Sequence, residues 1–252
     1  MTLKIALVQT NSLVGNIAVN FNKITEIVVK MRSESSVDLI VFPELVLTGY
    51  PPEDLLLRHD FIAEINGILV ELAKIAPEIA LIVGFPDFLD GNLYNSAAIL
   101  LEGQILTTYR KQKLPNYGVF DEQRYFSAGR DSCVFELKGQ YIGVSICEDT
   151  WHSDIVQAMK NAGAQILVTL NASPFHSGKA QKREAIIGEN VKAAQLPIVY
   201  VNMIGGQDEL VFDGASFVMN KNGDVVLRAQ EFVEEVRIIE FDGSEPIPGY
   251  CA

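Results

Sequence analysis

The stretch VDLIVFPE (37–44) decides how this chain folds. Its apolar run is short and is closed by Pro43, which predicts a strand buried on both faces. KIALVQT (4–10) and IALIVGF (79–85) repeat the pattern on either side. Strands that are apolar on both faces are typical of central strands covered on both sides. The sequence therefore predicts an α/β fold.

Helical patterns separate the predicted strands. Apolar residues recur at helical spacing from Asn16 to Met31 and again over Phe61–Ala76. The second half of the chain repeats the alternation, with predicted helices over Ile155–Ala162 and Lys179–Gln195. The remaining predicted strands are LYNSAAILL (93–101), QILTTYR (104–110), SCVFEL (132–137), QYIGVSIC (140–147), AQILVTLN (164–171), PIVYVN (197–202), ASFVMN (215–220), DVVLRA (224–229) and VEEVRIIEF (233–241). Two similar halves predict two sheets packed face to face with helices outside, in a single domain over the whole chain.

The composition excludes several classes of protein. The chain has 252 residues, a net charge of −12 and a pI near 4.7, whereas a nucleic-acid groove would leave a basic footprint. An anionic membrane surface is equally disfavoured. No run approaches the roughly 20 apolar residues of a membrane span, and the N-terminus has no signal-peptide pattern. We therefore expect a cytoplasmic protein. Three cysteines, Cys133, Cys147 and Cys251, fit neither a disulfide framework nor a zinc site, so no metal is expected.

Cys147 is the candidate nucleophile. It ends the predicted strand QYIGVSIC and precedes the polar residues Glu148 and Asp149. A free cysteine is more often a small buried hydrophobe, which is our interpretation of Cys133 inside its own strand pattern. At a junction of strand and turn, however, a thiol can be exposed while nearby backbone N–H groups point at a developing oxyanion.

A cysteine nucleophile needs a base or a lowered pKa. Histidine, the usual base, occurs at three positions: His59, His152 and His176. None of them makes a convincing dyad with the cysteine. Two other strand ends carry ionisable side chains, because Glu44 follows LIVFP and Lys111 follows ILTTYR. Either residue alone is typical of a solvated strand end, but together three strand ends supply a nucleophile, a carboxylate and a cation.

These residues resemble the Glu–Lys–Cys triad of the nitrilase, or carbon–nitrogen hydrolase, superfamily in order and in spacing. Longer stretches are similar to the glutaminase domain of glutamine-dependent NAD synthetases. They are LVLTGYPPEDLLLRHDFI (45–62), KQKLPNYGVFDEQRYF (111–126), ICEDTW (146–151) and NASPFHSGKAQKRE (171–184). The resemblance implies a four-layer αββα sandwich with two pseudo-symmetric halves, and a homo-oligomer formed through a helix face.

The resemblance also implies catalytic roles. Cys147 would attack the side-chain carboxamide of L-glutamine to give a thioester and ammonia. Glu44 would act as general acid and general base. Lys111, rather than the neighbouring Lys113, would hold the oxyanion together with the backbone N–H of Glu148. Losing one such donor typically lowers the rate by about 10²–10³-fold.

Further residues follow from the same resemblance. Glu122 would be a supporting residue that orients Lys111 and Glu44. The glutamine head group would be bound by three residues: Tyr117, Ser173 and Lys179. The lysine offers a cation to the α-carboxylate. The alternative interpretations are loop packing for Tyr117, a helix-start cap for Ser173 and a solvated helix face for Lys179.

The NAD synthetases that carry such a domain continue into a second domain with an SGG-type loop for ATP pyrophosphate. Here Gly205-Gly206 is followed by Gln-Asp, not by the Ser or Thr of a phosphate cradle. We therefore expect no cofactor on this domain. ATP and magnesium would belong to a synthetase domain or subunit that is absent from this chain and receives its ammonia.

Three alternatives stay open. The first is a stand-alone ω-amidase or other small aliphatic amide hydrolase, which would not require an α-amino acid head group. The second is a docking subunit with a vestigial site, against which the intact set of Glu44, Lys111 and Cys147 speaks. The third is a papain-like Cys–His hydrolase, whose thiol would depend on a histidine.

Overall fold

Two β-sheets lie face to face in the computed structural model, which describes residues 2–248. The strands are β1 Thr2–Gln9, β2 Leu39–Val41, β3 Ala80–Leu89, β4 Asn92–Leu101, β5 Gln104–Arg110, β6 Cys133–Leu137, β7 Gln140–Ile146, β8 Ile166–Asn171, β9 Ile198–Asn202, β10 Ile204–Gln207, β11 Leu210–Asp213, β12 Phe217–Met219, β13 Val225–Arg228, β14 Glu235–Asp242 and β15 Glu245–Ile247. The α-helices are α1 Ile17–Glu34, α2 His59–Ile75, α3 Ser153–Asn161 and α4 Lys179–Ala194. Among the described residues, no helix is long and apolar enough to cross a membrane.

The two sheets have the same internal pattern of strand pairing. One sheet has the order β15-β14-β1-β2-β3-β4-β5 and the other has the order β13-β12-β9-β8-β7-β6. Each sheet contains three adjacent parallel strands, which are β1-β2-β3 in the first sheet and β7-β8-β9 in the second. Antiparallel strands flank these three on both sides. β2 and β8 therefore occupy equivalent central positions. This repetition confirms the predicted pseudo-symmetric halves.

Apolar side chains fill the space between the sheets and under the helices. Strand β1 lies against β9, and β5 lies against β7. One buried cluster joins the two sheets to α3 and α4, and a second joins the outer face of the larger sheet to α1 and α2. Burial of this kind is the main favourable term in folding, at about 25 cal/mol per Å². The predicted four-layer αββα sandwich is confirmed.

Helix α1 illustrates how local sequence fixes an element. The side chain of Asn16 accepts a hydrogen bond from the Val19 backbone N–H at 3.1 Å, which caps the first turn. Ile24, Val28 and Met31 follow at helical spacing and are buried against the sheet. The predicted start of this helix is therefore explained by its cap and its apolar stripe.

Some predicted boundaries were wrong. The strand predicted over 37–44 pairs only over Leu39–Val41, because the chain leaves the sheet before Pro43. The segment containing Gly205-Gly206 forms the β10–β11 hairpin, which the sequence patterns did not indicate. Cys251 lies outside the described residues.

Candidate active site

Glu44 lies where the chain leaves β2, and a close backbone approach fixes it there. A Cβ at Gly84 of β3 would meet the Pro43 carbonyl oxygen at 2.6 Å and the Leu45 nitrogen at 2.4 Å. Only glycine leaves room for this crossing. As a result, the Glu44 side chain turns into the space between the sheets and is 1% exposed.

Three donors surround the Glu44 carboxylate. Its Oε1 accepts hydrogen bonds from Asn95 Nδ2 at 2.7 Å and from Lys111 Nζ at 2.8 Å. Its Oε2 accepts the backbone N–H of Ala172 at 2.8 Å. Ala172 follows β8, the strand equivalent to β2 in the other sheet. The carboxylate is therefore held at the seam between the two halves.

Lys111 is anchored at the end of β5 and lies between two carboxylates. Its backbone N–H donates to the Asn95 carbonyl at 2.8 Å, and its Nζ donates to Glu44 Oε1 and Glu122 Oε1, each at 2.8 Å. Burial alone would lower the pKa of Lys111, but Glu122 and Glu44 raise it well above its usual value. Within residues 2–248 its third N–H has no acceptor. One donor of this buried ammonium is therefore left over once the two carboxylates are satisfied.

Glu122 completes this buried cluster from the loop after β5. Its Oε1 also accepts the Tyr50 hydroxyl at 3.0 Å, whereas its Oε2 is buried without a hydrogen-bond partner. Burial raises the pKa of Glu122 to about 7, with Lys111 opposing the shift and Glu44 adding to it. One ammonium between two carboxylates therefore leaves a site that takes up a proton near neutral pH.

The raised pKa of Glu122 predicts a pH-dependent stability that Glu122→Gln removes. The usual pKa of a glutamate is 4.5, whereas that of Glu122 in the folded state is about 7. Between these two pH values the folded state holds a proton on Glu122 that the unfolded state has lost. The stabilisation that this proton gives to the folded state is therefore complete below pH 4.5 and is lost as the pH rises through 7. We expect the difference in unfolding free energy between wild type and Glu122→Gln to fall by about 2–3 kcal/mol over that range. Urea unfolding at several pH values measures it, and a constant difference would contradict the assignment.

Cys147 begins a short 3₁₀ turn, Cys147–Trp151, directly after β7. It has φ +47°, a left-handed conformation that costs a non-glycine residue about 1–2 kcal/mol. Burial and then the Glu44 carboxylate raise the pKa of the Cys147 thiol well above its usual value, although Lys111 acts in the opposite direction. The resting thiol is therefore protonated at neutral pH and needs a base.

A cavity of about 390 Å³ opens onto Cys147. Ser173, Lys179 and Tyr117 line it, together with Glu148. The Tyr117 hydroxyl donates to the Glu148 carboxylate at 2.9 and 3.0 Å, and Lys179 Nζ lies 5.6 Å from the centre of the Phe120 ring. Burial lowers the pKa of Lys179. Glu148 and Lys179 thus bring a carboxylate and an ammonium to the cavity that opens onto Cys147, and Glu209 and Lys182 line its exposed part.

The structure brings every predicted site residue to this region. Glu44, Lys111 and Glu122 are in direct contact, and the cavity joins Cys147 and Glu148 to the three predicted head-group residues. Their catalytic and binding roles stay predictions. The sequence analysis gave a role to the backbone N–H of Glu148 but none to its side chain, although its position next to Cys147 could have indicated one.

Other contributors were missed by the sequence analysis. Asn95 is a polar residue inside an apolar strand pattern, and this exception could have indicated that it belongs to the site. Tyr50 comes from an irregular loop and carried no signal. Of the histidines, His176 lines the cavity and His152 Nε2 lies 3.7 Å from Glu148. Within residues 2–248 no group of three or more His, Cys, Asp or Glu side chains could hold a metal ion.

Comparison with known sequences gives consistent relatives. Residues 4–245 match the family described as carbon–nitrogen hydrolase. A glutamine-dependent NAD(+) synthetase of Xanthomonas campestris pv. campestris is 42% identical over 246 residues, covering 97% of this chain and 45% of that protein. Another from Thermotoga maritima is 39% identical over 247 residues, covering 96% of this chain and 42% of that protein. The chain spans less than half the length of these relatives.

Solved structures agree with the sequence relatives. A glutamine-dependent NAD+ synthetase from Acinetobacter baumannii, in complex with ADP, has a TM-score of 0.95 at 41% identity, covering 100% of this chain and 48% of that one. An amidase from Nesterenkonia sp. has a TM-score of 0.84 at 21% identity, covering 98% of this chain and 90% of that one. The second likeness concerns the fold alone.

Proposed function

The chain belongs to the carbon–nitrogen hydrolase family, and we propose that it is a glutamine amidohydrolase domain that releases ammonia for an NAD synthetase. One observation carries the proposal. Cys147 opens into a cavity of about 390 Å³ that also presents the Glu148 carboxylate and the Lys179 ammonium. That volume lies within the range of about 300–1,000 Å³ that is common for small-molecule sites. A zwitterionic amino acid with an amide side chain matches the charges.

The first half of the reaction forms a thioester. Glu44 takes the proton of the Cys147 thiol, and the sulfur attacks the amide carbon of glutamine. The resulting oxyanion accepts hydrogen bonds from the third N–H of Lys111 and from the backbone N–H of Glu148 at the start of the turn. The C–N bond then breaks, and Glu44 returns its proton to the departing ammonia.

The second half hydrolyses the thioester. Glu44 takes a proton from a water molecule, which attacks the thioester carbon. The same two donors hold the second oxyanion, the C–S bond breaks, and the proton returns to the Cys147 sulfur. The products are glutamate and the free thiol. The geometry that holds the Glu44 carboxylate between Lys111 and Ala172 suits a group that acts in every proton transfer.

The charged groups of the glutamine head group are recognised by residues of opposite charge. Its α-ammonium pairs with the Glu148 carboxylate, which the Tyr117 hydroxyl holds in place. Its α-carboxylate pairs with Lys179, next to Ser173. Charge-assisted hydrogen bonds of this kind are about twice as strong as neutral ones. An amide without a head group loses these contacts.

Active-site labelling tests the proposal without depending on turnover. The chain is incubated with a diazo-ketone analogue of glutamine, and the adduct is mapped by intact and peptide mass. We expect one adduct, on Cys147, that glutamine suppresses and propionamide does not. If iodoacetamide labels Cys147 while the glutamine analogue does not, the cysteine hydrolase stands and glutamine is the wrong substrate. The small aliphatic amides are then screened.

Lys179→Met is expected to raise KM for glutamine by about 10- to 100-fold, because a hydrogen bond to a charged group contributes about 1.5–3 kcal/mol. The kcat for glutamine and the hydrolysis of propionamide should change little, since the reacting atoms do not touch this side chain. Lys182→Met is the matched control, because Lys182 lies on the same helix at the exposed edge of the cavity. Equal effects of the two substitutions would contradict the assignment of Lys179.

The relatives support a synthetase partner for this domain. A synthetase domain or subunit would consume the ammonia to amidate deamido-NAD, and it would carry the ATP and magnesium. We place this coupled reaction in the cytoplasm. We also propose that the domain forms a homo-oligomer through a helix face.

A further inference from the structure

Asp149 is a fully buried carboxylate that the proposed chemistry does not use. It is 0% exposed and lies two residues after Cys147, inside the 3₁₀ turn. Four donors converge on it, of which two come from the segment that follows Lys111. The distances are 2.8 Å from Tyr109 Oη, 3.0 Å from the Ile146 N–H, 3.1 Å from the Gln112 N–H and 2.8 Å from the Lys113 N–H.

These donors flank both of the proposed catalytic strand ends. Ile146 directly precedes Cys147, at the end of β7. Tyr109 precedes Lys111 by two positions, at the end of β5, and the other two N–H groups belong to the residues that follow it. β5 and β7 belong to different sheets. A single carboxylate therefore joins the backbone around the lysine to the backbone before the cysteine.

A helix-capping role does not account for this arrangement. A cap of the 3₁₀ turn needs only the bond from the Ile146 N–H. Of the three donors from the β5 side, Tyr109 lies in the other sheet and the Gln112 and Lys113 N–H groups lie in the loop after it, so none of them belongs to the turn. All four partners are donors, and a carboxylate has two oxygens that accept about four hydrogen bonds. The site is therefore shaped for an anion that connects two elements.

We infer that Asp149 is a positioning residue that fixes the Cys147 turn and the Lys111 segment in one register, so that the lysine ammonium and the sulfur face the same bound carbonyl. This inference rests on the proposed glutaminase function for its kinetic readout. Asp149 does not touch the reacting atoms. Its effect is on kcat, because a misplacement of about 1 Å at a reacting group can lower the rate by 10²-fold.

The test compares Asp149→Asn with Asp38→Asn. An asparagine at 149 places an NH₂ donor against two of the four donors. Asp38 likewise accepts a backbone N–H, that of Lys4 at 2.9 Å, but it precedes β2 and so lies at the end of the sheet away from Glu44. We expect Asp149→Asn to lower kcat for glutamine about 100-fold with KM within about threefold. Asp38→Asn should leave both values unchanged.

A second readout separates this inference from the glutaminase proposal. The rate at which iodoacetamide alkylates Cys147 depends on the placement of the thiol beside Glu44 and Lys111, not on the substrate. We expect this rate to fall in Asp149→Asn and not in Asp38→Asn. If wild type releases no ammonia from glutamine, the glutaminase proposal fails while the alkylation rates still decide the role of Asp149. Equal rates in the two variants would overturn it.

Tyr109→Phe covers the case in which Asp149→Asn does not fold. It removes one of the four donors and leaves the carboxylate with its three backbone bonds. We expect a loss of about threefold to tenfold in kcat, with KM unchanged, from the removal of one buried hydrogen bond. A loss confined to thermal stability, with kcat at the wild-type value, would contradict the positioning role.

Discussion

Glu44→Gln is expected to lower kcat for glutamine by about 10⁴-fold, the upper end of the range for general acid–base catalysis. Burial and the neighbouring carboxylate raise the pKa of the Cys147 thiol, so little thiolate exists at neutral pH without a base. A glutamine at position 44 cannot take the proton. It also cannot protonate the departing ammonia or activate the water.

The side-chain environment makes this substitution informative. The three groups bonded to Glu44 are all donors: Asn95 Nδ2, Lys111 Nζ and the Ala172 N–H. A glutamine keeps the shape but turns an NH₂ toward one of them. We therefore expect some loss of stability as well, within the range of about 1–3 kcal/mol for an unsatisfied buried group.

Two measurements separate loss of the base from loss of the fold. Ammonia release gives kcat, and urea unfolding at the same pH gives stability. Glu64→Gln, at an exposed position of α2, is the control and should match wild type in both. A Glu44→Gln variant that keeps more than one per cent of the wild-type kcat would show that another group accepts the thiol proton.

The sequence contained enough information for the layers of the fold and for the three strand ends. Continuous apolar runs such as IALIVGF mark strands covered on both faces, and helical spacing marks the segments between them. Glu44 and Cys147 were predicted because each stands at the end of such a run, and Lys111 because it follows the predicted strand QILTTYR. Parallel strands end at the same edge of a sheet, so the side chains that directly follow them lie in one region.

The sequence did not reveal contacts that depend on tertiary packing. Strand β10 is IGGQ, with one strongly apolar residue, and the β10–β11 hairpin is held partly by Phe212, whose ring meets that of Tyr50 edge-on at 6.0 Å. Tyr50 is far away in sequence. No local pattern could indicate this pairing, because its stability comes from the partner and not from intrinsic propensity.

Asp149 shows a different kind of failure. The sequence marked Asp149 only as one of the polar residues after Cys147, and its side chain is 0% exposed. Four donors compensate for its burial, three of them from a strand and loop that no sequence spacing connects to it. Charged residues are rarely buried without such partners. The polarity of the stretch therefore did not indicate that the Asp149 carboxylate is buried and bonded to four donors.

Lys111→Met is the substitution for which we expect the largest loss of stability. Lys111 is 1% exposed and is the ammonium that faces both Glu44 and Glu122. Removing one partner of a buried ion pair leaves an uncompensated charge, which costs about 3–5 kcal/mol. Loss of the oxyanion donor should also lower kcat by about 10²–10³-fold. Lys113→Met, which breaks a partly exposed pair with Asp154, should cost no more than about 1 kcal/mol.

The pH dependence distinguishes the electrostatic cause from lost packing. Without the ammonium, the two carboxylates repel each other, so the pKa of Glu122 rises further above its value of about 7. The stability deficit of Lys111→Met is then largest above pH 7 and shrinks as acid protonates the pair. Adding Glu122→Gln removes one carboxylate and should restore part of the stability at pH 8 without restoring turnover. A deficit that is the same at pH 5 and pH 8, and that the second substitution leaves unchanged, would mean that Lys111 acts in the core by its volume and not by its charge.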